Sequence, residues 1–273
     1  LFEVCFIDVP IPGQEEETIK QLEVYAHDGD IAAFIFEPLV LGTAGMVMYN
    51  SKVLDQLLSI CQQHDILTIA DEVMTGFGRT GRTFASDYLQ HQPDMVTLSK
   101  GLTGGTMALG ATSCNEKIYE AFLSDDKRKT LFHGHSYTGN PVACAAGLDS
   151  LDLLLQEETQ QHIIRIGQRH AAFAGQFKSM AKVAEVRLQG TILAVEFEAE
   201  GTSYFNKMGD TLYSFALEQG VILRPLGNII YVIPPYCITD AQLDQVYQTI
   251  TGMQKLNTGE RYFEPPPQTT LHD

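Results

Sequence analysis

Along the chain, apolar blocks of four to six residues alternate with stretches whose apolar positions recur every three to four residues. The first pattern suits strands buried on both faces, the second amphipathic helices. On this reading strands fall at 3–7, 31–36, 66–70, 95–99 and 107–113, and helices at 15–26, 51–64, 115–123 and 140–156. Such alternation predicts an α/β fold with a mainly parallel sheet covered on both faces. In such sheets the chemistry gathers at the carboxyl ends of the strands, so loops 37–50 and 71–82 and the loop opening at Lys100 should converge there. After a helical stretch at 157–181 the pattern changes. VAEVRLQGTILAVEFE alternates like two adjacent strands, followed by helix 204–218, strands 221–224 and 229–233, and helix 240–255. That order suits a smaller α+β domain, which places the division at 1–156 and 157–273. Pro265-Pro266-Pro267 cannot continue a helix and is expected to be extended.

Composition narrows the partners. The 273 residues are 44% hydrophobic and 19% charged, ordinary for a soluble globular protein. A net charge of -16 opposes attraction to nucleic acid or anionic membranes and favours small molecules or protein subunits as partners. Cys5, Cys61, Cys114, Cys144 and Cys237 form no C-x-x-C pair and are odd in number, which argues against a disulfide framework and suits a cytoplasmic location. No apolar run approaches the ~20 residues that span a bilayer. The opening LFEVCFIDVP lacks the basic region of a signal peptide.

ILTIADEVMTGFGRTG, residues 66–81, holds two competing features. Gly76, Gly78 and Gly81 match the G-x-G-x-x-G fingerprint of dinucleotide-binding folds. There, however, the first glycine closes the strand and the last opens a helix that faces the pyrophosphate. Here Asp71 and Glu72 come first, and carboxylates would repel a pyrophosphate. A turn-rich loop is the better reading of the glycines. Asp71 makes more sense beside Lys100, which ends the next strand pattern. A lysine can form a Schiff base with the aldehyde of pyridoxal phosphate, and a carboxylate can keep the pyridine nitrogen protonated. A plain salt bridge at a sheet edge reads the spacing equally well.

The run LTIADEVMTGFGRTGRTFASDYLQHQPDMVTLSKGLTGG resembles the cofactor-attachment signature of class III pyridoxal-phosphate aminotransferases, a fold-type I family. The resemblance implies pyridoxal 5'-phosphate as cofactor, with Lys100 attached to it, Asp71 on its pyridine nitrogen and Val73 against one ring face. It implies a fold-type I transferase with an incomplete large domain and a small C-terminal domain. Phe34-Ile35-Phe36-Glu37-Pro38 is similar to the same family, with Glu37 shaping the site or serving the fold alone. His133-Gly134-His135-Ser136-Tyr137-Thr138-Gly139-Asn140-Pro141 leads into helix 140–156, where hydroxyls and free N–H groups suit a phosphate. By resemblance Ser136 reaches the phosphate held by a neighbouring subunit, which implies a homodimer; a simple helix cap is the alternative. His133 and His135 lack a carboxylate partner nearby, so no metal is expected.

Residues 220–227 and 230–236, with 102–112, are similar to the branch of that family that uses S-adenosylmethionine and 8-amino-7-oxononanoate in biotin synthesis. The resemblance assigns Arg224 to the oxononanoate carboxylate, with Tyr231 nearby, because an arginine can grip a carboxylate by two parallel hydrogen bonds. Alone, Arg224 would read as a surface residue. Transamination would have Lys100 shuttle the proton between substrate and cofactor carbons. Family members carry further residues ahead of the point matching Leu1, including a phosphate cradle and an aromatic on the other ring face. The chain is therefore expected to be a later portion, with little activity alone. Another class III activity on omega-amino acids or diamines, and a non-catalytic assembly module, are the alternatives.

Overall fold

The computed structural model describes residues 3–199 and 208–257. The chain divides into two compact units, Leu1–Gly42 with Val47–Gln160 and Thr43–Met46 with Gln161–Asp273.

The first unit opens with helix α1 (Glu15–Asp28), followed by strand β1 (Ala33–Phe36), a small hairpin of β2 (Val40–Leu41) and β3 (Val47–Met48), and helix α2 (Ser51–Gln63). The side chain of Asn50 caps α2, accepting from the Lys52 N–H at 2.8 Å. Val53, Leu54, Leu57, Leu58 and Cys61 form the buried stripe of α2. Leu57 and Cys61 pack with Leu22 and Ala26 of α1. Each buried leucine there contributes about 1.5–3 kcal/mol. Strands β4 (Leu67–Asp71), β5 (Met95–Leu98) and β6 (Ala111–Cys114) complete a sheet ordered β1-β4-β5-β6. Helices α3 (Glu116–Phe122) and α4 (Pro141–Leu155) follow.

β1, β4 and β5 are parallel, as the alternation predicts, and β6 runs antiparallel to β5. The register matters for the chemistry, because a one-residue slip would turn Asp71 to the other face. At the amino edge, Asp94 accepts from the Thr68 N–H at 2.8 Å and from its hydroxyl at 2.9 Å. That clamp holds β4 against β5 and leaves Asp71 opposite Thr97.

The second unit contains most of helix α5 (Glu157–Phe177), a sheet of β7 (Val183–Gln189), β8 (Ile192–Phe197) and β9 (Ile229–Val232), and helices α6 (Met208–Glu218) and α7 (Asp240–Asn257). β8 is central and almost wholly buried, and the sheet is antiparallel throughout. Ile166, Leu193, Val195, Phe197, Ile230, Leu243 and Ile250 belong to one apolar core.

Three strand expectations fail. Residues 3–7 form no strand: Val4 and Phe6 are exposed, and no described strand pairs with them, so their backbone groups have no ladder to join. Residues 107–110 are irregular because the Met107 carbonyl accepts from the Thr103 hydroxyl, and pairing with β5 begins at Ala111. Residues 221–224 are irregular as well. The Val221 N–H turns back to the Ala216 carbonyl, and an isolated bridge, Leu226–Ile229, leads into β9. Residues 204–207 and 265–267 lie outside the described residues.

Candidate active site

The parallel register of β1, β4 and β5 brings three ionisable residues to one sheet edge. Glu37 follows β1, Asp71 ends β4, and Lys100 opens the short turn beyond β5. Glu37 senses both of the others. Burial raises its pKa and Asp71 raises it further, while the Gly42 N–H and Lys100 oppose the rise. The Gly42 N–H donates to Glu37 Oε2 at 3.0 Å, and the Tyr49 hydroxyl donates to the Glu37 carbonyl, so the hairpin is folded onto that residue.

Asp71 Oδ1 accepts from the Val73 N–H at 3.0 Å. Val73 is half-buried in the turn that follows. Lys100 is exposed and has φ 43, an uncommon conformation for a residue with a Cβ. Its turn, Lys100–Thr103, is buttressed by α4: the Ser150 hydroxyl donates to the Gly101 carbonyl at 3.2 Å. No ion pair joins Lys100 to Asp71 among the described residues. The salt-bridge reading of this pair therefore falls away. An amine and a carboxylate held apart at one strand edge fit pyridoxal phosphate, whose aldehyde and pyridine nitrogen call for those two groups.

Asp71 and Glu72 look alike in sequence and differ in the fold. Glu72 is 0% exposed. Its Oε1 accepts from the Ser86 N–H at 2.7 Å and hydroxyl at 2.8 Å, and its Oε2 from the Thr75 hydroxyl at 2.7 Å and the Ala85 N–H at 3.0 Å. Sequence reasoning missed this role, since its donors at Ala85 and Ser86 carry no signature. The glycines 76–81 lie in turns and open no α-helix, as the loop reading expected.

Ser136 is exposed in the turn before α4. The cap of that helix is Asn140, whose Oδ1 accepts from Val142 N at 2.9 Å and Ala143 N at 3.3 Å. This corrects the expectation of free N–H groups at that end: Asn140 takes them and Pro141 has none. Ser136 is then not the cap. Among the described residues no cluster of side chains could hold a metal ion.

Arg224 and Tyr231 belong to the second unit. Arg224 is exposed in the irregular stretch before β9, and Tyr231 is half-buried on β9 opposite Ala194. A hollow of about 380 Å³ beside Thr68, Asp94 and Lys117 lies at the amino edge of the first sheet, away from Asp71 and Lys100.

Residues 8–253 match the family described as aminotransferase class-III. The adenosylmethionine-8-amino-7-oxononanoate aminotransferase of Synechococcus elongatus is 40% identical over 262 residues, covering 93% of this chain and 61% of that protein. Its namesake from Geobacter sulfurreducens is 38% identical over 250 residues, covering 88% and 54%. Among solved structures, the omega transaminase from Pseudomonas jessenii in complex with PMP matches with a TM-score of 0.82 at 28% identity, covering 90% of this chain and 56% of that one. A Bacillus anthracis aminotransferase matches with a TM-score of 0.83 at 26% identity, covering 93% and 61%. The chain thus spans between 54% and 61% of the length of these relatives.

Proposed function

The chain belongs to the class III aminotransferases, and from that premise we propose that it carries the lysine-bearing part of an enzyme that moves an amino group from S-adenosylmethionine to 8-amino-7-oxononanoate, giving 7,8-diaminononanoate in biotin biosynthesis. One observation supports the cofactor half of this reading above the others: the exposed Lys100 amine and the Asp71 carboxylate share a strand edge without pairing to each other. The relatives named for that substrate pair support the other half.

Pyridoxal phosphate would supply a ring that withdraws electrons from the substrate carbon. Lys100 would anchor it through Nζ, and Asp71 would hold a proton on its pyridine nitrogen, since an ionised carboxylate is a strong acceptor for a charged donor. Val73 would pack on one ring face. Lys100 Nζ would carry the proton between the substrate carbon and the cofactor carbon, a task for a positioned amine. Ser136 would reach the phosphate held by a second copy, making the working form a homodimer. Arg224 would bind the oxononanoate carboxylate in bidentate fashion beside Tyr231. Unpaired thiols suit a cytoplasmic setting.

The test is substrate choice. The protein as encoded, supplied with pyridoxal phosphate, S-adenosylmethionine and 8-amino-7-oxononanoate, is expected to form 7,8-diaminononanoate, read by mass spectrometry. Turnover of simple omega-amino acids with none of the oxononanoate would move the chain to another class III activity.

A further inference from the structure

The loop between β4 and the strand that leads to Lys100 is folded around one buried carboxylate. Among the described residues, the Glu72 carboxylate accepts four hydrogen bonds, each from an N–H or O–H donor of the same loop. Taking a carboxylate out of water is tolerable only when its lone pairs are met this fully. The loop is further closed by the Gly76 N–H donating to the Glu72 carbonyl at 3.0 Å, an approach so near that a Cβ at Gly76 would lie 2.9 Å from that oxygen. Glu72 is also tied to the neighbouring strand, its N–H donating to the Thr97 carbonyl at 3.0 Å.

What the loop delivers is Phe77. Its ring meets Phe84 edge-on at 5.5 Å between centroids and lies against Gly101, where an added Cβ would come within 2.8 Å of the Phe77 Cβ and 2.9 Å of the ring. Gly101 directly follows Lys100, whose positive φ has to be held by its surroundings. The loop therefore touches both members of the pair: it begins at the residue after Asp71 and ends its reach at the residue after Lys100.

We propose that Glu72 is a positioning residue, setting Phe77 against Gly101 and so fixing the backbone that presents Lys100 beside Asp71. The inference rests on the reading of Lys100 and Asp71 as the cofactor's partners. It gives the carboxylate pair of the sequence two separate duties, one facing the cofactor and one inside the wall that aligns it.

The test uses the protein as encoded with pyridoxal phosphate as the probe. In Glu72→Gln, whichever oxygen becomes an amide faces a backbone N–H that cannot turn away, while the volume is unchanged. With the fold verified by circular dichroism, hydrogen exchange should quicken at 72–88 and also at 99–105, and the Kd for pyridoxal phosphate should rise about tenfold or more. Glu72→Asp, which restores a carboxylate, should recover part of both effects. Exchange that quickens at 72–88 alone, with affinity within about twofold of the parent, would reduce Glu72 to a local structural role and overturn the proposal. Should Glu72→Gln not fold, the double variant Thr75→Val with Ser86→Ala decides by the same two readings, since it keeps the backbone donors. Expected there is about a threefold loss of affinity with faster exchange at 99–105, and parent values for both would overturn the proposal. Lys100→Ala separates the two levels: if it keeps parent affinity the cofactor reading fails, whereas if it loses affinity and Glu72→Gln does not, only the positioning role fails.

Discussion

Two cations show how differently the units of this chain use charge. Arg187, on β7 of the second unit, is 9% exposed, and its two terminal nitrogens reach Glu185, Glu196 at 2.7 Å and the Gly45 carbonyl at 2.9 Å. Lys100, at the edge of the first sheet, is exposed, conformationally strained and not paired with Asp71. The surrounding sheets differ in the same sense, since β8 is buried along nearly its whole length and β6 is exposed along all of it. A charge whose partners lie within the fold is committed to them. Those held close and left open are available to a ligand, and this is where perturbed and strained groups become evidence of function.

The contrast breaks most readily at the second core. Phe197, 0% exposed, lies in the same cluster as Leu193, Val195 and Ile230, so Phe197→Ala should cost about 3–5 kcal/mol in urea unfolding. A cost under about 1 kcal/mol would mean the second unit is not the tightly packed one. At the open site, Asp71→Asn should keep pyridoxal phosphate but lower turnover about 10²–10³-fold, since an amide cannot hold the ring proton as a carboxylate does. Turnover within a few-fold of the parent would remove Asp71 from the chemistry.

His170 makes the second core sensitive to pH. It is buried, its ring contacts the Tyr247 hydroxyl at 2.7 Å, and burial lowers its pKa from 6.5 to about 4. Between those values the unfolded chain binds a proton that the folded one refuses. Stability should therefore be complete above about pH 6.5, fall as pH drops toward about 4 and level off below, a loss of roughly 3 kcal/mol. Urea midpoints measured across that range check this, and His170→Gln should flatten the slope. The smallest expected effect is at Arg224. Arg224→Ala should weaken 8-amino-7-oxononanoate binding by about 1.5–3 kcal/mol and leave S-adenosylmethionine and pyridoxal phosphate binding nearly unchanged. Equal losses for both substrates would indicate damage to the fold.

The placement of Asp71 and Lys100 was legible because strand patterns are periodic. The apolar runs ending at Asp71 and before Lys100 identify neighbouring strand ends, and parallel pairing carries both residues to one edge. The parts that were not legible depend on burial and on partners remote in sequence. Nothing in the letters separates Asp71 from Glu72; the donors at Ala85 and Ser86 do. Ser136 and Asn140 are both good caps by type, and only geometry gives the role to Asn140. Residues 221–224 have the apolar content of a strand but no strand neighbour among the described residues, and backbone pairing is a property of two segments and not of one.

Attachment of pyridoxal phosphate to Lys100 can be mapped chemically. The protein as encoded is incubated with pyridoxal phosphate, reduced with borohydride, digested and mapped by mass spectrometry. A single pyridoxyl label on Lys100 is expected, absent in Lys100→Ala along with transamination, a loss of about 10²–10⁴-fold or more. A stable label on a different lysine, or undiminished turnover in Lys100→Ala, would contradict it.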